Sequence, residues 1–495
     1  MTKKLLLSVT LASLLASSSL LAEENLDADL GGFDTEEVAS EEDADLEGFG
    51  DEEESSDLDG FGDGEIIAVQ ETAPEVQKRE LMFSLSGDLA FKTSYGYKDH
   101  EVKAHQSDAQ AIDYSGFNQA QTALYLQVDG KLSDNWKMRV GLDAYYDAIH
   151  NLHPSNNYNN DTLDTYKTQL MLTDAYVQGR LTNDIDLKVG RQIVVWGKSD
   201  SIRITDVINP LDNRLPGMTD IEDLRLSVGM AKFDYYIGQW NFSAMAIGES
   251  RVMLEAAPRS EFFPVDNIFP IAPEPFIELV TPNSSWDNMQ YAFAANGIFS
   301  GWDLSFYGAD VLSQKWHINP LTQKREVHKV KMLGSAINVA TGSWLLKSEI
   351  AYLSGVKYNS TTDKKSRLDA LVGFDYMGIK DTVLSLEIAN RHIFNYEEQM
   401  SELVAKPDYV DENEVQTAIR TTRSFENDSI NATALVSMFG SSWEYGGFAR
   451  LWVEYDVMDA LVANFGIVEY IDGDKPFTKA ISDNDRVFAD ITYSF

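Results

Sequence analysis

The 495 residues carry 79 acidic against 40 basic side chains, a formal net charge of −39, and no cysteine. That balance excludes a basic, phosphate-tracking nucleic-acid surface, and the missing thiols exclude disulfides and thiolate metal sites. Length alone admits three soluble domains or one large barrel, and 24 Phe, 22 Tyr and 9 Trp are enough to build an interfacial aromatic girdle.

Residues 1–22 read as a secretory signal peptide. Lys3 and Lys4 precede the apolar run Leu5 to Leu15, and small residues lead to Ala22, the expected cleavage point. No later apolar run approaches the about 20 residues that a spanning helix needs. Residues 23–78 form an acidic segment expected to be disordered and periplasmic. Its first part, 23–71, contains 21 Asp and Glu and no Lys or Arg, so it repels itself and has little apolar surface to fold around. Leu30-Gly31-Gly32-Phe33, Leu46-Glu47-Gly48-Phe49 and Leu58-Asp59-Gly60-Phe61 repeat one pattern within it. A solvated tail is one reading. Tandem partner-binding motifs anchored by Leu30, Phe33, Leu46, Phe49, Leu58 and Phe61 are the other, since linked weak copies act together.

From residue 79 to 495 the pattern is period two. In Asn118 to Gly130, Ala120, Thr122, Leu124, Leu126 and Val128 share one face, while Gln119, Gln121, Tyr125, Gln127 and Asp129 share the other. Such long alternating segments match the roughly 10-residue units of a transmembrane barrel better than soluble-sheet strands. Tight turns at 133–135, 182–184, 237–239, 300–301, 341–343 and 378–380 alternate with long polar loops near 98–115, 149–165, 196–222, 250–285, 314–326 and 395–413. The expected fold is therefore all-β, an antiparallel transmembrane barrel of about 18 strands. It falls to 16 if Glu414 to Phe425 is loop and one hairpin is misread.

The most distinctive stretch runs Val189-Gly190-Arg191-Gln192-Ile193-Val194-Val195-Trp196-Gly197-Lys198-Ser199-Asp200 and on to Asn209-Pro210. Strict alternation puts Arg191 on the lipid face, where arginine at mid-depth costs about 2–4 kcal/mol. A bulge at Gly190 turning Arg191 into the lumen, or a position high enough to snorkel, resolves this; the bulge is preferred. The loop that follows carries Lys198, Asp200, Arg203, Asp206, Asp212 and Arg214, read as either a constriction of paired charges or a solvated outer loop. The Gly-Arg-Gln, Trp-Gly and Asn-Pro combination resembles a family of proteobacterial outer-membrane barrels catalogued as a domain of unknown function, and Gly-Arg-Gln also resembles alginate-export porins. Where relatives carry Trp-Gly-Glu-Ser, this chain has Lys198. The resemblance implies an outer-membrane barrel working beside RND-type exporters and lipid-handling periplasmic proteins.

Loop 250–285 is apolar for a connection, with Phe262, Phe263, Phe269 and Phe276 among Pro264, Pro270, Pro273 and Pro275. It reads as a plug packed on itself or as a path for an apolar substrate. His100 with His105 and His150 with His153 lack further ligands at metal spacing, and the Ser385, Glu387, Arg391, His392 face lacks an arranged nucleophile. Neither an enzyme nor a metal or other cofactor is expected. The last strand sets Val487, Ala489, Ile491, Tyr493 and Phe495 on one face. With Tyr493 and Phe495 at its end, it resembles the signal read by the barrel assembly machinery. The reading is an outer-membrane channel for apolar or amphipathic molecules, partnered with an RND-type exporter through the tail. A general or anionic-polymer porin and a non-transporting scaffold or adhesin are the alternatives.

Overall fold

The computed structural model describes residues 82–103, 111–153, 158–269, 272–273, 275–402 and 408–495. The signal peptide, the acidic segment with its Leu-x-Gly-Phe copies, and His105 lie outside them. Eighteen strands form one sheet. They are β1 (Met82–Gly96), β2 (Gly116–Ser133), β3 (Trp136–Asp147), β4 (Thr168–Thr182), β5 (Ile185–Gln192), β6 (Val228–Ile237), β7 (Trp240–Ile247), β8 (Gln290–Phe299) and β9 (Trp302–Leu312). The second half comprises β10 (Lys329–Thr341), β11 (Trp344–Val356), β12 (Lys365–Ile379), β13 (Thr382–Phe394), β14 (Asn413–Phe425), β15 (Ile430–Phe439), β16 (Gly447–Met458), β17 (Leu461–Ile471) and β18 (Arg486–Ser494). Each pairs antiparallel with its neighbours in sequence. β18 returns to β1, from Asp88↔Ser494 to Gly96↔Arg486, so the sheet closes and leaves no edge. The larger expected strand number holds because Glu414 to Phe425 is strand, paired on both sides.

Turn chemistry explains the alternation of short and long connections. Thr341 pairs with Trp344 across a two-residue turn whose Gly342 has φ +58, a conformation glycine adopts without steric cost. The hairpin expected at 378–380 closes slightly later, with Asp381 at φ +53 between Ile379 and Thr382.

Period-two patterning gives the barrel its two faces. Phe91, Ile298, Leu333, Ile350, Val372, Ile388, Phe465 and Ile491 are exposed on the outside. At the short-turn end they are bordered by aromatic contacts, with Phe299 and Trp302 stacked at 4.3 Å and Trp344 beside Tyr376 at 4.5 Å. An outward apolar band edged by aromatics is the surface a bilayer solvates, and the chain is a transmembrane barrel of the outer-membrane type.

The carboxy-terminus closes the seam. Phe495 donates its N–H to the Gly87 carbonyl at 2.9 Å and accepts the Gly87 N–H at 3.0 Å. Its ring stacks with that of Tyr493 at 6.3 Å on the exposed face. Replacing Phe495 by Asp places a charge on that face at the seam. The expected outcome is a large fall in heat-modifiable, membrane-inserted barrel on gels, and unchanged levels would contradict it.

Candidate functional site

The lumen is not empty. The loop between β5 and β6, residues 193–227, turns inward. Val194, Trp196, Ile202, Ile204, Val207 and Ile208 are buried against inward residues of β6 to β18 in one apolar cluster. The base of the loop is tied by the Asn-Pro pair. Asn209 Oδ1 accepts the Val194 N–H at 2.9 Å, Asn209 Nδ2 donates to the Leu226 carbonyl at 2.8 Å, and Leu226 N–H reaches the Pro210 carbonyl at 2.7 Å.

Beyond the base, the Trp-Gly-Lys-Ser stretch docks on the far wall. Trp196 stacks on Tyr307 at 4.7 Å. Two wall carboxylates, Glu349 on β11 and Glu387 on β13, are buried. Glu349 accepts the backbone N–H groups of Lys198 (2.5 Å), Ser199 (2.8 Å) and Thr205 (3.2 Å) and the Thr205 hydroxyl (2.8 Å). Glu387 accepts those of Asp200 (2.8 Å), Ser201 (3.1 Å) and Ile202 (3.0 Å). Gly197, at φ +95, makes this approach possible, because a Cβ there would lie 2.8 Å from Glu349 Oε1. Two buried negative charges are thus met by rows of amide dipoles, which satisfies loop amides and carboxylates together.

Ion pairs extend the docking. Lys198 reaches Asp303 at 3.0 Å, and Lys347 bridges Asp200 and Asp375, the latter at 2.7 Å. Asp206 takes Arg203 at 3.0 Å and Arg225 at 2.8 Å. Asp220 takes Arg420 of β14 and Arg450 of β16, both at 2.9 Å. Arg214 is held by Asp212 at 2.8 Å and donates to the Tyr145 hydroxyl of β3 at 3.0 Å. The charged residues singled out from sequence do come together inside the barrel as paired charges, but most of them anchor the loop. Asp212 and Arg214 line the cavity described below.

Two residues of the expected constriction are placed differently. β5 runs through Gly190 with no register shift, so there is no bulge to turn Arg191 inward. Arg191 stands opposite Gly229, whose neighbours Val228 and Met230 are buried in the interior cluster. Arg191 therefore faces outward, near the loop end. Its Nε donates to Glu249 at 3.2 Å and its Nη1 to the Leu172 carbonyl at 2.9 Å, and Gly229 N–H completes the Glu249 shell at 2.7 Å. Pairing at the rim, not a bulge, accommodates the charge. Gln192 is fully buried in the wall, donating to the Lys188 carbonyl at 3.3 Å and the Met230 carbonyl at 3.4 Å.

The apolar loop, 248–289, crosses the mouth. Phe262 packs edge-on against Tyr470 of β17 at 5.6 Å, under the Arg486 guanidinium at 4.7 Å. Glu261 pairs with Arg486 of β18 and accepts from Asn118 at 3.3 Å. Phe276 lies 5.6 Å from both Phe263 and Phe269, with Arg325 over its ring at 5.0 Å. Phe262 is thus sealed into the packing of a lid and lines no apolar path.

Beside the inward loop a cavity of about 420 Å3 follows the wall of β1 to β4. Lys92, Gln121, Tyr125, Asp143, Tyr145 and Gln169 line it from the strands, and Leu215, Met218 and Asp223 from the loop. The inward parity of β2 and β3 already marks Gln121, Tyr125 and Asp143 as a polar face. Nothing in the pattern marks Asp223, Glu349 or Glu387 as different from other acids. Replacing Glu349 and Glu387 together by Ala leaves the loop amides unmet, at about 1–3 kcal/mol for each buried group. The loop is expected to undock, and single-channel conductance in planar bilayers is expected to rise several-fold while the barrel stays inserted. Parental conductance would show that the carboxylates do not hold the loop.

No curated protein matches the chain. Solved structures similar to it include the outer membrane protein OpdK of Pseudomonas aeruginosa, at 9% identity over 83% of this chain and 98% of that one, with a TM-score of 0.45. OccAB1 of Acinetobacter baumannii is 11% identical over 83% of this chain and 96% of that one, with a TM-score of 0.47. A BenF-like porin of Pseudomonas fluorescens Pf-5 is 9% identical over 84% and 98%, with a TM-score of 0.47. A family model matches residues 54–495, and the chain belongs to that family, described as a protein of unknown function (DUF1302).

Proposed function

We propose that this barrel is a constricted outer-membrane channel for small amphipathic molecules, with its route along the β1 to β4 wall. The observation that carries the reading is the docked inward loop, which fills the β8 to β16 side and leaves the cavity beside β1 to β4. A wide general porin would need that lumen open to water, and the lid across the mouth narrows it further. The lining mixes Met171, Leu215 and Met218 with Tyr125, Tyr145 and Asp143, which suits a molecule with one apolar and one polar part better than an anionic polymer.

Charge along the route is testable. Burial and the neighbouring Glu222 and Asp220 push Asp223 up to about 6. Its carboxylate is therefore ionised at pH 7.5 and largely protonated at pH 5, so acidification removes negative charge from the cavity wall. Reversal potentials in a salt gradient are expected to show lower cation preference at pH 5 than at pH 7.5. Asp223→Asn should flatten that difference while leaving a low single-channel conductance. A high conductance in the parent protein, or no pH dependence, would count against the reading.

The acidic tail is proposed to recruit a periplasmic element of an RND-type exporter through Phe33, Phe49 and Phe61, with the surrounding carboxylates speeding encounter with a basic surface. Replacing all three by Ala should leave the barrel inserted but remove partner capture by in vivo crosslinking. Identical crosslinks in variant and parent would reduce the tail to a linker.

A further inference from the structure

We infer that the cavity on the β1 to β4 wall is a recognition site for a small organic amine with a hydroxyl at its far end; this deepens the channel reading and rests on it. The first observation is a row across three strands. Asp88, Tyr125 and Asp143 stand directly opposite one another on β1, β2 and β3, and the row continues to Met171 on β4. Tyr125, Asp143 and Met171 line the cavity. Directly opposed side chains on one face lie about 5 Å apart, so an aromatic ring sits between two carboxylates.

Among the described residues, these carboxylates are not consumed by ion pairs. Asp143 accepts from Gln169 at 2.7 Å and Asp88 from the Ser494 hydroxyl at 2.7 Å, both neutral donors. Of the four Lys and Arg side chains that line the cavity, Arg214, Arg225 and Arg486 are engaged with Asp212, Asp206 and Glu261, and Lys92 stands between Gln121 of β2 and Asp490 of β18. An entering ammonium finds carboxylate oxygens and a ring face, the combination that binds it best.

The second observation is independent and lies at the outer end. Tyr114 and His150 line the same cavity and are more than nine-tenths buried, yet among the described residues the Tyr114 hydroxyl and His150 Nδ1 have no hydrogen-bond partner. Buried polar atoms are rarely left unmet in a native fold, and two facing one cavity mark where a ligand's polar group belongs. Burial lowers the His150 pKa, which favours a neutral imidazole able to accept a hydrogen bond. A hydroxyl on the ligand can donate to Nδ1 and accept from Tyr114. The apolar body between the two ends would lie against Leu215 and Met218.

The test uses the full barrel in detergent and isothermal titration with four probes: tyramine, phenethylamine, 4-hydroxyphenethyl alcohol and 4-hydroxyphenylacetate. Tyramine should bind tightest. Loss of the hydroxyl should cost several-fold, and loss of the ammonium about ten-fold or more, from what one charge-assisted contact contributes. The anion should bind weakest. Asp143→Asn, checked for heat-modifiable mobility, should remove the advantage of tyramine over the neutral alcohol. Tyr114→Phe should remove the advantage of tyramine over phenethylamine. Equal affinity for all four probes, preference for the anion, or no binding of tyramine overturns the inference. Planar-bilayer conductance of the same preparation separates the two readings. Normal conductance without tyramine binding sinks the amine site alone, and tyramine binding without conductance sinks the channel.

Discussion

Two buried carboxylates and the amide dipoles they hold organise the interior. An 18-stranded barrel is too wide for its wall side chains to meet across the centre. Something must fill it, or water will. Here the chain's own loop fills it, and Glu349 and Glu387 set where. Each gathers three backbone N–H groups that a loop in a dry interior would otherwise leave unmet. Neither partner is tolerable alone: the carboxylates would be buried charges, and the amides buried donors.

Ion pairs distribute the remaining charge. The described barrel meets most interior cations one to one or by sharing, as when Asp206 takes two arginines and Asp220 takes two more. The Asp206 pairs lie within the loop and brace it, while the Asp220 pairs join it to β14 and β16, so rigid-body motion of the loop would break both of the latter at once. More than half of the −39 net charge falls in residues 23–71, outside the described residues.

Legibility followed range. The terminal strand, the alternating faces and the short turns are local patterns, and they were readable because a period of two or a glycine at positive φ needs no knowledge of distant residues. The Asn-Pro pair was visible as a motif, but its use was not, since Asn209 acts by tying Val194 to Leu226. Arg191 was misplaced because a bulge looked cheaper than an outward arginine. The structure instead keeps the register, lets Gly190 take φ +133 against the Ala175 carbonyl, and supplies Glu249 from 58 residues away. Glu349 and Glu387 meet their amides across 151 and 187 residues of sequence. Pairings of that separation leave no trace in a local pattern, and an inward glutamate on an alternating strand looks the same whether it meets water or a backbone.

The position of the cavity follows from the sizes of wall residues. Inward positions on β8, β10, β11, β13 and β14 include Ala292, Ala294, Ala336, Ala351, Ala389 and Ala418, all buried in the cluster that receives the loop or its surroundings. Gly334 goes further, since a Cβ there would meet Thr205 at 3.0 Å. Small residues let a peptide backbone approach a sheet closely and exclude water between them. On β2 and β3 the corresponding positions include Gln121, Tyr125, Asp143 and Tyr145, which are polar, around the small Ala123. A loop backbone cannot close on such a wall without burying its polar groups, so the space there stays open. The docking side and the open side are thus two consequences of one asymmetry in side-chain volume and polarity around the barrel.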